Sequence, residues 1–204
     1  MGDAAKRLPQ AMRPSGRVGR IFGFVMARLN GDAYRWTVEQ LRPVQPRSLL
    51  EIGFGTGHLL RLAIKSLKLE RAAGVDPSEL MVETARKRLR RLAKKTSVDI
   101  RQGDDTDLPD GPFDAIAALH SFQFWSEPEA ALARIRAQLA SGGRLVLVLR
   151  THGPKNVPKW IPNPLSRSGN EIAVTCRALE RAGFAVVGLK GLSRTSQGII
   201  AVPR

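Results

Sequence analysis

Ser48-Leu49-Leu50-Glu51-Ile52-Gly53-Phe54-Gly55-Thr56-Gly57 is the stretch on which the fold turns. Its first half is a short apolar run with the look of a strand, its second half a glycine-rich turn, and the residues from Gly57 to Leu69 read as a helix. Glycines at such a turn let the backbone bend tightly and come close to a ligand where a Cβ would collide. A dinucleotide fingerprint needs its third glycine at the sixth position from the first, and that position is His58. The turn is instead G-x-G-x-G, with the carboxylate of Glu51 two positions ahead of it. A carboxylate there repels a pyrophosphate and suits a ligand that carries an ammonium group and a sulfonium, which disfavours a nicotinamide cofactor.

Further along, strands and helices keep alternating. The spacing predicts a strand over Ala72–Asp76, a helix from Ser78 as N-cap to Lys95, and strands over Val98–Gln102 and Phe113–Leu119. A helix over Glu127–Ala140 follows, stopped by Ser141-Gly142-Gly143, then a strand over Arg144–Leu149, a helix near Asn170–Ala182, and closing strands over Phe184–Leu189 and Gly198–Val202. Such repetition makes an α/β fold with a mostly parallel sheet covered by helices on both faces and ligands at the carboxyl ends of the strands. Asp76 ends the second strand, where an acidic side chain can accept hydrogen bonds from ribose hydroxyls. Gly103-Asp104-Asp105 follows the third, where a carboxylate can accept from an adenine amine. The fourth delivers His120, Ser121 and Phe122 to the pocket mouth.

These motifs together resemble the class I S-adenosylmethionine-dependent methyltransferases, most of all the branch with small-molecule, quinone and lipid acceptors. The resemblance rests on Leu-Leu-Glu-Ile-Gly-Phe-Gly-Thr-Gly, Gly-Val-Asp-Pro-Ser, Gly-Asp-Asp-x-x-x-Leu-Pro, Phe-Asp-Ala-Ile and Ala-Ser-Gly-Gly-Arg-Leu-Val-Leu, and covers residues 47 to 150 closely. It implies a Rossmann-like fold with a seven-stranded sheet whose final strand is antiparallel, and S-adenosyl-L-methionine as cofactor. By matching position it also implies that Glu51, Gly53, Gly55 and Gly57 surround the methionine part, Asp76 the ribose, and Asp104 and Asp105 the adenine. Phospholipid N-methyltransferases have a similar size, but their Tyr-Asp motif is not evident in the N-terminal region. A non-catalytic cofactor-binding regulatory module is the reading from a different class.

On the acceptor side, His120 has two readings: a general base for a hydroxyl acceptor, also in reach of the cofactor, or a packing histidine. Tyr34, Trp125 and Trp160 can line an acceptor pocket or fill the core. No spacing among His58, His120 and His152 suggests a metal site.

The outer segments divide into a basic arm over residues 1–16, a helical extension over 17–46, and the methyltransferase-like domain over 47–204. Val18, Ile21, Phe22, Val25, Met26 and Leu29 form one helical stripe, which either covers the core or, with Lys6, Arg7, Arg13, Arg17 and Arg20, lies against an anionic membrane surface through residues 6–29. Asp32–Leu41 forms a second helix. Residues 151–168, with Pro154, Pro158, Pro162 and Pro164, form either a lid over the acceptor or a passive loop.

Of the 204 residues, 43% are hydrophobic and 25% charged, which bounds the chain to one core. The excess of 33 Lys and Arg over 18 Asp and Glu, +15 in formal charge, favours anionic partners without choosing among them. Nucleic acid is disfavoured because the basic helix around Arg86–Lys95 has no interleaved aromatics, and reads as a solvated face. One cysteine, Cys176, excludes an intrachain disulfide and fits a reducing cytoplasm. The longest apolar run, Ile21–Ala27, is too short for a membrane span.

Overall fold

The computed structural model describes residues 30–151, 169–193 and 195–204. The basic arm, the stripe over 17–29, the lid segment beyond Thr151 and Trp160 lie outside the described residues. Strands β1 (Ser48–Ile52), β2 (Arg71–Asp76), β3 (Ser97–Gln102), β4 (Phe113–Leu119), β5 (Leu139–Arg150), β6 (Phe184–Ser193) and β7 (Ser196–Pro203) form a seven-stranded sheet in the order β3-β2-β1-β4-β5-β7-β6. The first five pair in parallel, and β7 runs antiparallel to both β5 and β6.

β1 is central because four of its five residues, Leu49 to Ile52, are buried, as a strand covered on both faces must be. Its side chains alternate between two cores. On one face Leu49, Ala115 and Val148 pack under α1 (Gly31–Leu41), α2 (His58–Ser66) and α3 (Glu79–Leu89), through Trp36, Leu41, Leu59, Leu60, Val82 and Leu89. On the other, Leu50, Ile116 and Leu147 pack under α4 (Pro128–Gln138) and α5 (Gly169–Arg181), through Leu132, Ile135 and Leu179. Each fully buried leucine contributes about 1.5–3 kcal/mol relative to exposure, so both stripes are needed to hold helices on a sheet this short.

Several boundaries differ from the sequence expectation. The helix expected to reach Ala140 stops at Gln138, since Leu139 is already paired with Phe113 of β4. Pairing resumes at Ala115 with Arg144, leaving residues 140–143 bulged against Asp114. Asp114 is free to turn back there, and its carboxylate accepts from the N–H of Arg47 and from the N–H and hydroxyl of Ser48, at 2.9 Å each. The helix expected to reach Lys95 ends at Leu89, followed by a single tight turn at Leu92–Lys94. Arg86, Lys87, Arg90, Arg91, Lys94 and Lys95 are all exposed, as a solvated face requires. No helix among the described residues is long and apolar enough to cross a membrane.

The strand order runs one way from β1 through β2 to β3 and the other way from β4 to β5, so a crevice opens above the carboxyl ends of β1 and β4. The glycine turn lies at its edge.

Candidate cofactor and acceptor site

The turn after β1 is laced to the end of β2. Gly53 donates its N–H to the Val75 carbonyl at 2.8 Å, and Gly55 donates to Oδ2 of Asp76 at 2.8 Å. The other oxygen of Asp76 accepts from the Ser78 N–H at 3.0 Å, which opens α3. Burial pushes the Asp76 carboxyl up from 3.8 to about 6 against the pull of these two N–H groups. Each carboxylate oxygen keeps a lone pair for a further donor, so the side chain can fix the turn and still accept from a ligand hydroxyl.

The three glycines have different reasons to be glycine. A Cβ at Gly53 would lie 2.4 Å from Cβ of Ser121, whose hydroxyl donates to the Ile52 carbonyl at 2.7 Å. A Cβ at Gly57 would lie 2.9 Å from that of Ala85 on α3. At Gly55, with φ of +53°, nothing lies within 4 Å of the Cβ position. Gly53 and Gly57 are therefore packing glycines, whereas Gly55 turns its bare face to open space where a ligand can approach.

Glu51 is buried beneath the turn. It accepts a backbone hydrogen bond from Leu60, while its Oε2 has no partner. Burial, and next the charge of Asp76, push its carboxyl well above the usual range. A cation beside it would favour the charged form and oppose that upward push. Tyr34 of α1 stacks on His58 with ring centroids 5.0 Å apart, and burial together with the Glu51 charge pushes its phenol upward. Arg88 of α3 donates to Oγ1 of Thr56 at 2.7 Å, clamping the turn from outside. Sequence reasoning missed Arg88, although it stands one turn beyond Ala85, on the flank of the buried stripe.

Asp104 and Asp105, grouped in the sequence reading, part company. Oδ1 of Asp104 accepts from the N–H of Thr106 at 2.9 Å and from its hydroxyl at 2.6 Å, so this carboxylate shapes the loop after β3. Asp105 is buried against Arg134 of α4 at 3.3 Å, which turns its carboxylate toward that helix. Trp125 packs at 4.8 Å on Phe122 in the core under α4 and α5, on the opposite face of the sheet from Tyr34.

His120 stands just past β4 with φ of +54°, its N–H donating to the Val148 carbonyl at 2.8 Å. Both ring nitrogens are buried without a partner. Burial, and next the charge of Arg150, push its imidazole down to about 3, so it is neutral near pH 7 and has little appetite for a proton.

The family profile of the methyltransferase domain matches residues 50–147, the span from β1 through most of β5. An uncharacterized methyltransferase of Bacillus subtilis, YdaC, is 28% identical over 132 residues, covering 64% of this chain and 71% of that protein. The demethylmenaquinone methyltransferase of Thermotoga maritima is 30% identical over 154 residues, covering 72% of this chain and 64% of its own length. Among solved structures, a SAM-dependent methyltransferase from Aquifex aeolicus superposes with a TM-score of 0.62 at 21% identity, covering 76% of this chain and 81% of its own. Residues 50–147 are a methyltransferase domain, and the relatives and the fold around it are those of S-adenosylmethionine-dependent methyltransferases. The cofactor of this methyltransferase is S-adenosylmethionine, and the residues present suit it: the open face of Gly55 and the spare acceptor capacity of Asp76 meet at the turn, with the unpartnered carboxyl oxygen of Glu51 buried beneath it.

Proposed function

We propose that this methyltransferase acts on a small organic acceptor, with Glu51 and Gly55 at the methionine end of the cofactor, Asp76 on its ribose, and the loop at Asp104 beside its adenine. The observation that carries the reading is the Asp76 carboxylate, which holds the Gly55 N–H at 2.8 Å and so couples the ribose position to the shape of the turn. When bound, S-adenosylmethionine supplies an electrophilic methyl group on a sulfonium that departs as a neutral thioether. In-line transfer of this kind needs chiefly alignment and exclusion of water. Tyr34 and His58 wall the methionine end, and His120 borders the acceptor entrance as a neutral imidazole rather than as a strong base.

The similarity to a demethylmenaquinone methyltransferase supports an aromatic or quinone-like acceptor. The test is transfer of a tritiated methyl group from S-adenosylmethionine into separate pools of quinones, phenols, amines, phospholipids and tRNA. Label is expected in an extractable small organic product, and a Gly55→Val variant should leave that pool unlabelled. Label confined to tRNA or phospholipid would contradict the acceptor class.

A further inference from the structure

We infer that Arg150, His120 and Gln123 form the acceptor's anion-recognition site, selecting an organic acid or ionised phenol. The inference rests on the methyltransferase reading above and names the acceptor chemistry that it leaves open. β4 and β5 are parallel neighbours in register Leu119 with Val148, so His120 follows β4 at the level where β5 ends in Leu149 and Arg150, near enough for the Arg150 charge to act on its ring. Val148 belongs to the core under α1, and alternation along the strand turns Arg150 to that same face, the face that carries Tyr34. Gln123 follows one tight turn later, its amide donating to the His120 carbonyl at 2.7 Å.

These three residues carry four buried polar atoms without a hydrogen-bond partner: Nδ1 and Nε2 of His120, Oε1 of Gln123 and Nε of Arg150. Buried polar groups are nearly always paired, so a cluster of exceptions at a strand-end crevice marks a place where a ligand completes the bonding. Gln123 is only 6% exposed, and the bond to the His120 carbonyl fixes which way its free oxygen points. The left-handed backbone at His120 is uncommon for a residue with a side chain, and such conformations gather at functional sites.

Charge decides the kind of ligand. Burial presses on the Arg150 guanidinium, and no carboxylate among the described residues offsets it. A half-buried guanidinium without a counter-ion is costly, and an oxyanion is the group whose geometry and charge relieve that cost. His120 adds no second positive charge; as a neutral ring it offers one donor and one acceptor. With Nε of Arg150 and Oε1 of Gln123, the site presents two donors and two acceptors, which suits an acid that also carries a hydroxyl.

The experiment titrates the enzyme saturated with S-adenosylhomocysteine with salicylate and with its neutral relative salicylamide, by calorimetry. Salicylate is expected to bind at least about tenfold more tightly, the scale of one charge-assisted hydrogen bond. Arg150→Gln should abolish that preference and Arg150→Lys keep part of it, while His120→Asn, which tolerates the left-handed backbone, should weaken both probes and leave the preference in place. Affinity for S-adenosylhomocysteine should be the same in all four proteins. Equal binding of the two probes by the natural enzyme, or an undiminished preference in a folded Arg150→Gln, would overturn the inference. Failure of the natural enzyme to bind S-adenosylhomocysteine would instead overturn the cofactor reading beneath it.

Discussion

Asp76 shows how one side chain serves the backbone and the ligand together. Its two oxygens hold the N–H groups of Gly55 and Ser78, and burial raises its carboxyl to about 6 from 3.8. The folded protein therefore binds this proton more tightly than the unfolded chain does. The resulting stabilisation is complete at low pH and is lost as pH rises through about 6. Cofactor affinity runs the opposite way, because the ionised carboxylate is the better acceptor for ribose hydroxyls. Binding of S-adenosylhomocysteine should fall as pH drops through about 6, where Asp76 takes up its proton. Asp76→Asn should weaken it by about 1–3 kcal/mol and lose that pH dependence, separating Asp76 from Glu51, which is also pushed upward. Calorimetric titrations from acid to neutral pH check this, and equal affinity of both proteins across the range would refute the ribose role. The importance of Asp76 was legible from its place at a strand end. The sorting of the glycines was not, because it depends on Ser121 and Ala85, which are distant in sequence and adjacent only once folded.

Among the elements, α1 owes its place to a notch in β7. A Cβ at Gly198 would lie 2.3 Å from a ring carbon of Trp36, so the indole rests directly on the strand backbone. Gly198→Val would push that ring, and with it the helix that carries Tyr34, off the sheet. Overpacking of this kind costs about 1–3 kcal/mol. At roughly 2–4 °C per kcal/mol for a domain of this size, Tm should fall by several degrees. Thermal unfolding reads the effect directly, and an unchanged Tm would mean that α1 is not seated on this notch. From the sequence Trp36 is a helix aromatic that can line an acceptor pocket or fill the core, and contact between residues 36 and 198 has no local signature. Strand and helix types were legible from apolar runs and periodicity, but not every end. Ser141-Gly142-Gly143 has the composition of a helix stop, yet it lies inside β5, where the bulge opposite Asp114 absorbs it.

At the scale of the molecule, the sheet order brings Glu51, Asp76, His120 and Arg150 to one edge from four different strand ends. Alternation of strands and helices made a parallel sheet legible, and the resemblance carried by the motifs implied the antiparallel last strand. Nothing in the local sequence singled out Arg150 or Gln123, because an orphaned buried atom is a property of the assembled crevice. The central claim is that the turn after β1 is an S-adenosylmethionine cradle whose open face is Gly55. Its most direct test is calorimetric titration of the natural protein and of Gly55→Val with S-adenosylhomocysteine, with NAD as control. Binding of one S-adenosylhomocysteine and no NAD by the natural protein is expected, together with loss of that binding in a folded Gly55→Val. Undiminished affinity in that variant, or preference for NAD, would contradict the account.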